Sequence, residues 1–284
     1  AAISQVSYLV TVNLSTGAAV KAAEAEIETG VGFTPFSNAF LVFMLPHSII
    51  TISVVTALLP SLSKLAHEKK SDLMHDQLVN SMRLVGLVTV PSAVAFLFFG
   101  PLMTGTLYFG ISTADSNYLG YTLSALSLGL APMSINLIAL RGLNAFENVK
   151  LQVLSNTLMN AVAVVLSIVA ALTLPPKWVT VGLAGALAFS YFFGAWSSIR
   201  LLRRYQINIS ISEVFGFYLK LFSLAIAVAA PIWLLHNKIP GGNIVQLILV
   251  LAASVIGYLL LCKITGVDEI TSAVQVLKSR RKIG

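Results

Sequence analysis

Eight apolar runs dominate this chain and leave it one kind of solvent. They lie near 1–16, 36–59, 79–105, 117–140, 151–174, 178–199, 213–236 and 243–264. At about 1.5 Å of rise per residue, a run of about 20 residues crosses the ~30 Å hydrocarbon core of a bilayer. Lipid offers no partner to an unpaired backbone group, so a spanning segment must be a helix or part of a closed barrel. Barrel strands alternate apolar and polar residues, and runs such as Ala161–Leu174 do not. Charged residues make up 10% of the chain, against about 25% in soluble domains. The expected fold is therefore all-α, a polytopic transmembrane bundle of about eight spans. The first run is short and carries no basic region before it, unlike a signal peptide. It reads as a helix cut at its start, in a piece of a longer protein.

Charge sets the orientation. With the ends of the second, fourth, sixth and eighth runs on one side, that side collects Lys64, Lys69, Lys70, Arg83, Arg141, Lys150, Arg200, Arg203, Arg204, Lys220 and Lys263. Lys278, Arg280, Arg281 and Lys282 follow in the tail, which makes fifteen against Lys21, Lys177 and Lys238 opposite. Cytoplasmic loops carry the excess of Lys and Arg, so a multi-pass membrane protein with a cytoplasmic C-terminus is expected. The net charge of +7 then reflects membrane topology and calls for no nucleic acid. Gly17–Pro35 reads as an outer loop. Residues 61–77 read as an amphipathic helix on the inner surface or as a solvated loop, and the basic tail 266–284 as a topology anchor or a site for anionic headgroups. Arg83 and Lys220 read as snorkelling cations.

No catalytic constellation stands out. Cys262 is the single cysteine, the four histidines are scattered, and neither a phosphate-binding loop nor a His-Glu-x-x-His motif is present. No catalytic residue, metal or cofactor is therefore expected, and movement of a substrate would draw on a gradient or another chain. Polar groups inside the bilayer are costly and mark candidate sites. Pro46-His47 interrupts the second span, either as a kink with His47 satisfied by a carbonyl or as the lining of a cavity. Asn156 and Asn160 stand i, i+4 on one helix face, near Ser167; they serve interhelical hydrogen bonding or line a polar path. Asn136, with Gln5, Thr11 and Asn13 of the first span, divides between the same two roles. Arg141 either snorkels or binds phosphate at a cavity mouth. Pro91, Pro101 and Pro132 suggest bent helices.

Four stretches in series carry a resemblance: Ile3-Ser-Gln-Val6; Leu45-Pro-His-Ser48 followed by Thr56-Ala-Leu-Leu-Pro-Ser-Leu-Ser63; Val90-Pro-Ser-Ala-Val94 with Gly100-Pro101; and Leu140-Arg-Gly-Leu-Asn-Ala145 with Asn156 and Asn160. In this order they resemble the lipid II flippase family (MurJ/MviN) of the multidrug/oligosaccharidyl-lipid/polysaccharide exporter superfamily. The resemblance implies fourteen helices, arranged as two six-helix lobes around a cavity plus an extra pair. Residues 1–204 would then be the C-terminal lobe, 205–265 the extra pair and 266–284 a cytoplasmic tail. It also implies a flippase that moves undecaprenyl-linked peptidoglycan precursor (lipid II) across the bacterial inner membrane by alternating access, with the extra pair shaping a groove for the lipid tail. The implied partners are the bilayer, lipid II or a related polyprenyl-diphosphate glycan, an N-terminal lobe, and cell-wall synthesis or regulatory proteins. Where many members carry Asp-Arg before the Leu-Pro turn, this chain has Phe40-Leu41. The alternatives are an exporter of another lipid-linked saccharide and a non-transporting scaffold for cell-wall enzymes.

Overall fold

The computed structural model describes residues 2–27, 29–238, 241–267 and 269. Ten α-helices in eight rods account for most of them, and no strand occurs among the described residues. Helix α1 spans Ala2–Glu24, and α2 (Phe33–Pro46) continues through a π-helical turn, His47–Thr51, into α3 (Ile52–His67). Helix α4 (Ser71–Leu107) is followed by α5 (Thr113–Ser127) and α6 (Leu130–Asn144), and then by α7 (Val149–Thr173) and α8 (Pro176–Leu202). The last pair is α9 (Ile211–Leu235) and α10 (Asn243–Ile264). Six rods are long and apolar enough to cross a membrane, and α5–α6 makes a seventh if the bent pair is one span. At 23 residues α1 is also long enough, but it is more polar than the six.

The structure corrects four sequence expectations. The first helix does not stop near residue 16 but runs to Glu24, burying Ala18 and Ala22 against its neighbours. The 117–140 run is not one straight rod: it bends by 43° between Ser127 and Leu130. Gly129 at the bend packs so tightly on α8 that a Cβ there would lie 2.7 Å from the Ala188 Cα. Residues 61–77 are neither a surface helix nor a loop. They are the ends of α3 and α4 joined by a short turn, where the Lys70 ammonium, 2.7 Å from Glu68, holds that carboxyl below its usual range. Arg83 does not merely snorkel: it pairs with Glu213 at 2.6 Å and Glu269 at 3.4 Å and lies over the Phe217 ring. The expectation for the tail falls on 270–284, outside the described residues.

Of the prolines, Pro46 ends α2 at the π-helical turn, whereas α4 continues unbroken through Pro91 and Pro101. Pro101 has no N–H to offer the Leu97 carbonyl, and the Ser124 hydroxyl of α5 lies 3.2 Å from that oxygen and 3.0 Å from the Phe96 oxygen. Such bonds require close helices, and small residues allow them. Gly100 and Gly120 meet backbone to backbone: a Cβ on Gly120 would stand 2.4 Å from the Pro101 Cα. Elsewhere, hydroxyls bond back to the carbonyl four residues earlier, as Thr89 does to Val85 and Thr122 to Tyr118. This keeps polar groups satisfied without water.

The helix ends sort into two faces. At one, the Asn148 side chain donates to the Tyr205 hydroxyl, the Tyr205 ring stacks on Phe146 at 3.8 Å, and the Ser71 hydroxyl donates to the Tyr205 carbonyl. The described members of the larger basic group lie toward this end. At the other, the Gly30 N–H donates to Asp115 at 2.6 Å and the Gly32 N–H to Thr180 at 3.2 Å. The α9–α10 pair docks on α4 near the basic end. The Tyr218 hydroxyl donates to the Met82 carbonyl at 2.8 Å, with its ring over Gly86. Large apolar side chains such as Leu9, Ile49, Val165, Leu172, Phe189 and Ile248 point outward, as lipid-facing residues do.

Candidate functional site

A hollow of about 500 Å³, apolar over most of its lining but carrying a set of polar side chains, opens between α1, α2, α6, α7 and α8. His47, Asn136, Asn156 and Asn160 all line it, joined by Gln152 and Tyr191. Pro46 creates the first of these positions: it lacks the N–H that would hold the Val42 carbonyl, and the helix resumes through the wider His47–Thr51 turn. Turns of this kind recur at functional sites because they re-aim side chains. His47 is buried, and its Nδ1 lies 3.0 Å from the Ser134 hydroxyl. Ser134 gives its one hydrogen to the Leu130 carbonyl and accepts from Thr51, each at 3.0 Å. The His47 contact must therefore be Nδ1–H donating to Ser134, which leaves Nε2 as the acceptor of a neutral ring.

The Asn pair sits on α7 as its spacing requires. The Asn160 amide donates to the Asn156 carbonyl at 2.7 Å, which leaves the Asn156 side chain for the hollow. Asn136 reaches Met159 at 3.5 Å with its Nδ2, while its buried Oδ1 has no partner. Two hydroxyls, Ser155 and Ser197, fasten α7 to α8 at 2.9 Å behind this wall. The opposite wall is aromatic. Tyr8, Phe33, Phe36, Phe40, Phe43 and Tyr191 form a continuous run with neighbouring ring centroids 5.8–6.4 Å apart. Phe40, at the position where a charge would match the resemblance, is thus part of an aromatic face.

Three sequence candidates fall elsewhere. Gln5 and Asn13 are exposed on α1 and do not line the hollow. Arg141, one residue past the lining Leu140, is half-buried with an unpartnered Nε. Sequence reasoning missed Ser134, Thr51, Gln152 and the aromatic wall. Gln152 stands i, i+4 with Asn156, and that spacing was a readable signal; Ser134 and the aromatic run carry none beyond their own helices. Among the described residues no group of three or more His, Cys, Asp or Glu side chains is placed to hold a metal.

A second hollow, about 390 Å³ and largely apolar, lies between α4, α9 and α10, with Pro46 and Pro91 at its edge. Pro132 borders a third, of about 290 Å³, between α6, α8 and α9. Replacing Ser134 with alanine removes a partner from both His47 and Thr51 in a buried site. The expected loss is about 1–3 kcal/mol, read as a lower melting midpoint in detergent. An unchanged midpoint would show that this hydrogen-bonded trio contributes nothing.

Lipid-facing rods, helices broken at a proline, and a partly polar hollow enclosed by five of them define a multi-span helical membrane protein of the transporter kind. The family model described as "Lipid II flippase MurJ" matches residues 1–254, and the chain belongs to that family. Its fold is similar to a solved structure described as "Lipid II flippase MurJ, inward closed conformation", with a TM-score of 0.72 and 18% identity. The similarity covers 94% of this chain and 52% of the other, so the chain spans about half the length of that structure. No match was found among the curated proteins compared.

Proposed function

We propose that this chain supplies one lobe and the extra helix pair of a flippase for lipid II. Residues 1–204 form the lobe and 205–265 the pair. The supporting observation is the separation of two hollows, one carrying amides in its lining and one almost wholly apolar. An amide-and-aromatic one, lined by Asn136, Asn156, Asn160 and Tyr191, suits the sugars and diphosphate of a headgroup. An apolar one against α9 and α10 suits a polyprenyl tail, which never needs to leave lipid. Flat aromatic faces stack on sugar rings while amides bond their hydroxyls. Among the described residues no charged side chain lines this hollow, which fits a lobe that shares the diphosphate with an N-terminal partner lobe. The π-helical turn after Pro46 and the 43° bend before α6 are the two places where alternating access could pivot.

The test is lipid II exposure at the outer surface of cells depleted of the full-length protein. Exposure is expected to fall on depletion and to return with the full-length gene but not with residues 1–284 alone. Unchanged exposure on depletion would reject the flippase reading, and full rescue by 1–284 would reject the need for another lobe. Orientation is tested with Lys70→Cys in a Cys262→Ser background. An impermeant maleimide applied from outside is expected to leave it unlabelled, and labelling would reverse the topology.

A further inference from the structure

At the end opposite the basic face, a hollow of about 460 Å³ opens between α4, α5 and α10, beside the His236–Lys238 turn. Two polar helix faces meet there. Thr113, Ser116 and Asn117 stand i, i+3, i+4 on the first turns of α5, and Asn243 lies on the first turn of α10. The floor is Gly105, where a Cβ would come within 3.0 Å of the Ser116 hydroxyl and 3.9 Å of the Asn243 amide nitrogen. Glycine thus keeps open a space that an alanine would begin to fill.

Ser116 is 6% exposed, and its hydroxyl makes no hydrogen bond among the described residues, while its backbone N–H donates to the Ser112 carbonyl and its own carbonyl accepts from Thr104. The hydroxyl faces the hollow, so a bound hydroxyl or water can serve as its partner. His236 uses Nδ1 on the Trp233 carbonyl at 2.5 Å, which leaves Nε2 to the hollow. Phe109, 83% exposed, stands at the rim. No Lys, Arg, Asp or Glu lines the hollow among the described residues. A phosphate or a cation would find no compensating charge there. The size lies within the range of small-ligand clefts, about 300–1,000 Å³.

We propose that this hollow binds an uncharged saccharide, its hydroxyls meeting Ser116, Asn117, Asn243 and His236 and one ring face resting on Phe109. The site is separate from the central hollow and does not depend on the transport reading. Two sources share this chemistry: a soluble or polymeric glycan, and the sugar of a lipid-linked one.

The experiment is calorimetric titration of the full-length protein in nanodiscs with N,N′-diacetylchitobiose, and with glucose 6-phosphate for comparison. Saturable binding of the disaccharide is expected, tighter than that of the phosphate. Asn117→Ala and Asn243→Ala should each weaken it about tenfold, the equivalent of about 1.4 kcal/mol. Gly105→Val should abolish it. Both asparagines lie on partly open surface, and an unchanged melting midpoint in their alanine variants confirms that the fold is kept. If a polyprenyl-diphosphate disaccharide in the nanodisc displaces the probe, the lipid-linked sugar is the occupant; if it does not, a soluble or polymeric glycan is. No binding at millimolar disaccharide, binding untouched by the alanine variants, or tighter binding of glucose 6-phosphate would each overturn the proposal.

Discussion

Gly120→Val is expected to destabilise the protein by about 3 kcal/mol or more, the upper range for forcing atoms into a filled core. A Cβ at this position would lie 2.4 and 2.5 Å from the Pro101 Cα and N and 2.8 Å from the Gly100 carbonyl carbon. All three are backbone atoms and cannot turn aside as a side chain would. Relief requires α5 to move off α4, and that movement would break the Ser124 contacts to Phe96 and Leu97 and the Thr104 bond to the Ser116 carbonyl. Gly185 is the control, because a Cβ there meets nothing within 4 Å. Gly185→Ala should hold or raise the melting midpoint, since alanine is the better helix former by about 1 kcal/mol. Thermal unfolding in detergent measures both. Equal midpoints for Gly120→Val and the parent would show that the two helices are not packed this closely.

Asn156→Asp in the full-length protein is expected to lower lipid II exposure at the cell surface about thirtyfold. The Asn156 side chain faces the partly polar hollow, and only its backbone carbonyl is engaged, by Asn160. The substitution thus adds a charge without removing a bond from that side chain. A carboxylate about 8 Å from one phosphoryl charge costs about 2 kcal/mol at an effective dielectric of about 20. Asn156→Ala, which removes the amide and adds no charge, should stay within about threefold. Complementation of depleted cells gives the comparison. An aspartate variant as active as the alanine one would mean that no anion passes this wall.

Several parts of this architecture are written in single segments of the chain. The scarcity of charge selects lipid as the solvent, and lipid allows only helices here. The i, i+4 spacing of Asn156 and Asn160 puts them on one face wherever α7 packs. Pro46 has no N–H to give the Val42 carbonyl, wherever its helix packs. The alternation of basic clusters with apolar runs already implies that those clusters meet at one end of the bundle. Each of these follows from the backbone and from residues within a few turns of one another.

What a helix face meets is not written in that helix. The Gly100–Gly120 contact, the Ser155–Ser197 bond and the sharing of Ser134 between His47 and Thr51 each join residues from different helices. Gln5 and Asn13 look as much like cavity residues as Asn136 does, yet only the packing of α1 against α7 and α8 turns Ser7 and Thr11 inward and leaves those two exposed. The bend at Leu128-Gly129 exists because Gly129 lets the chain approach Ala188. The aromatic wall assembles from α1, α2 and α8. The sequence alone determined the solvent, the helices and their polar stripes, because these depend on local hydrogen bonding and side-chain periodicity. The tertiary structure decided which stripes face each other, because that depends on close packing between surfaces far apart in the chain.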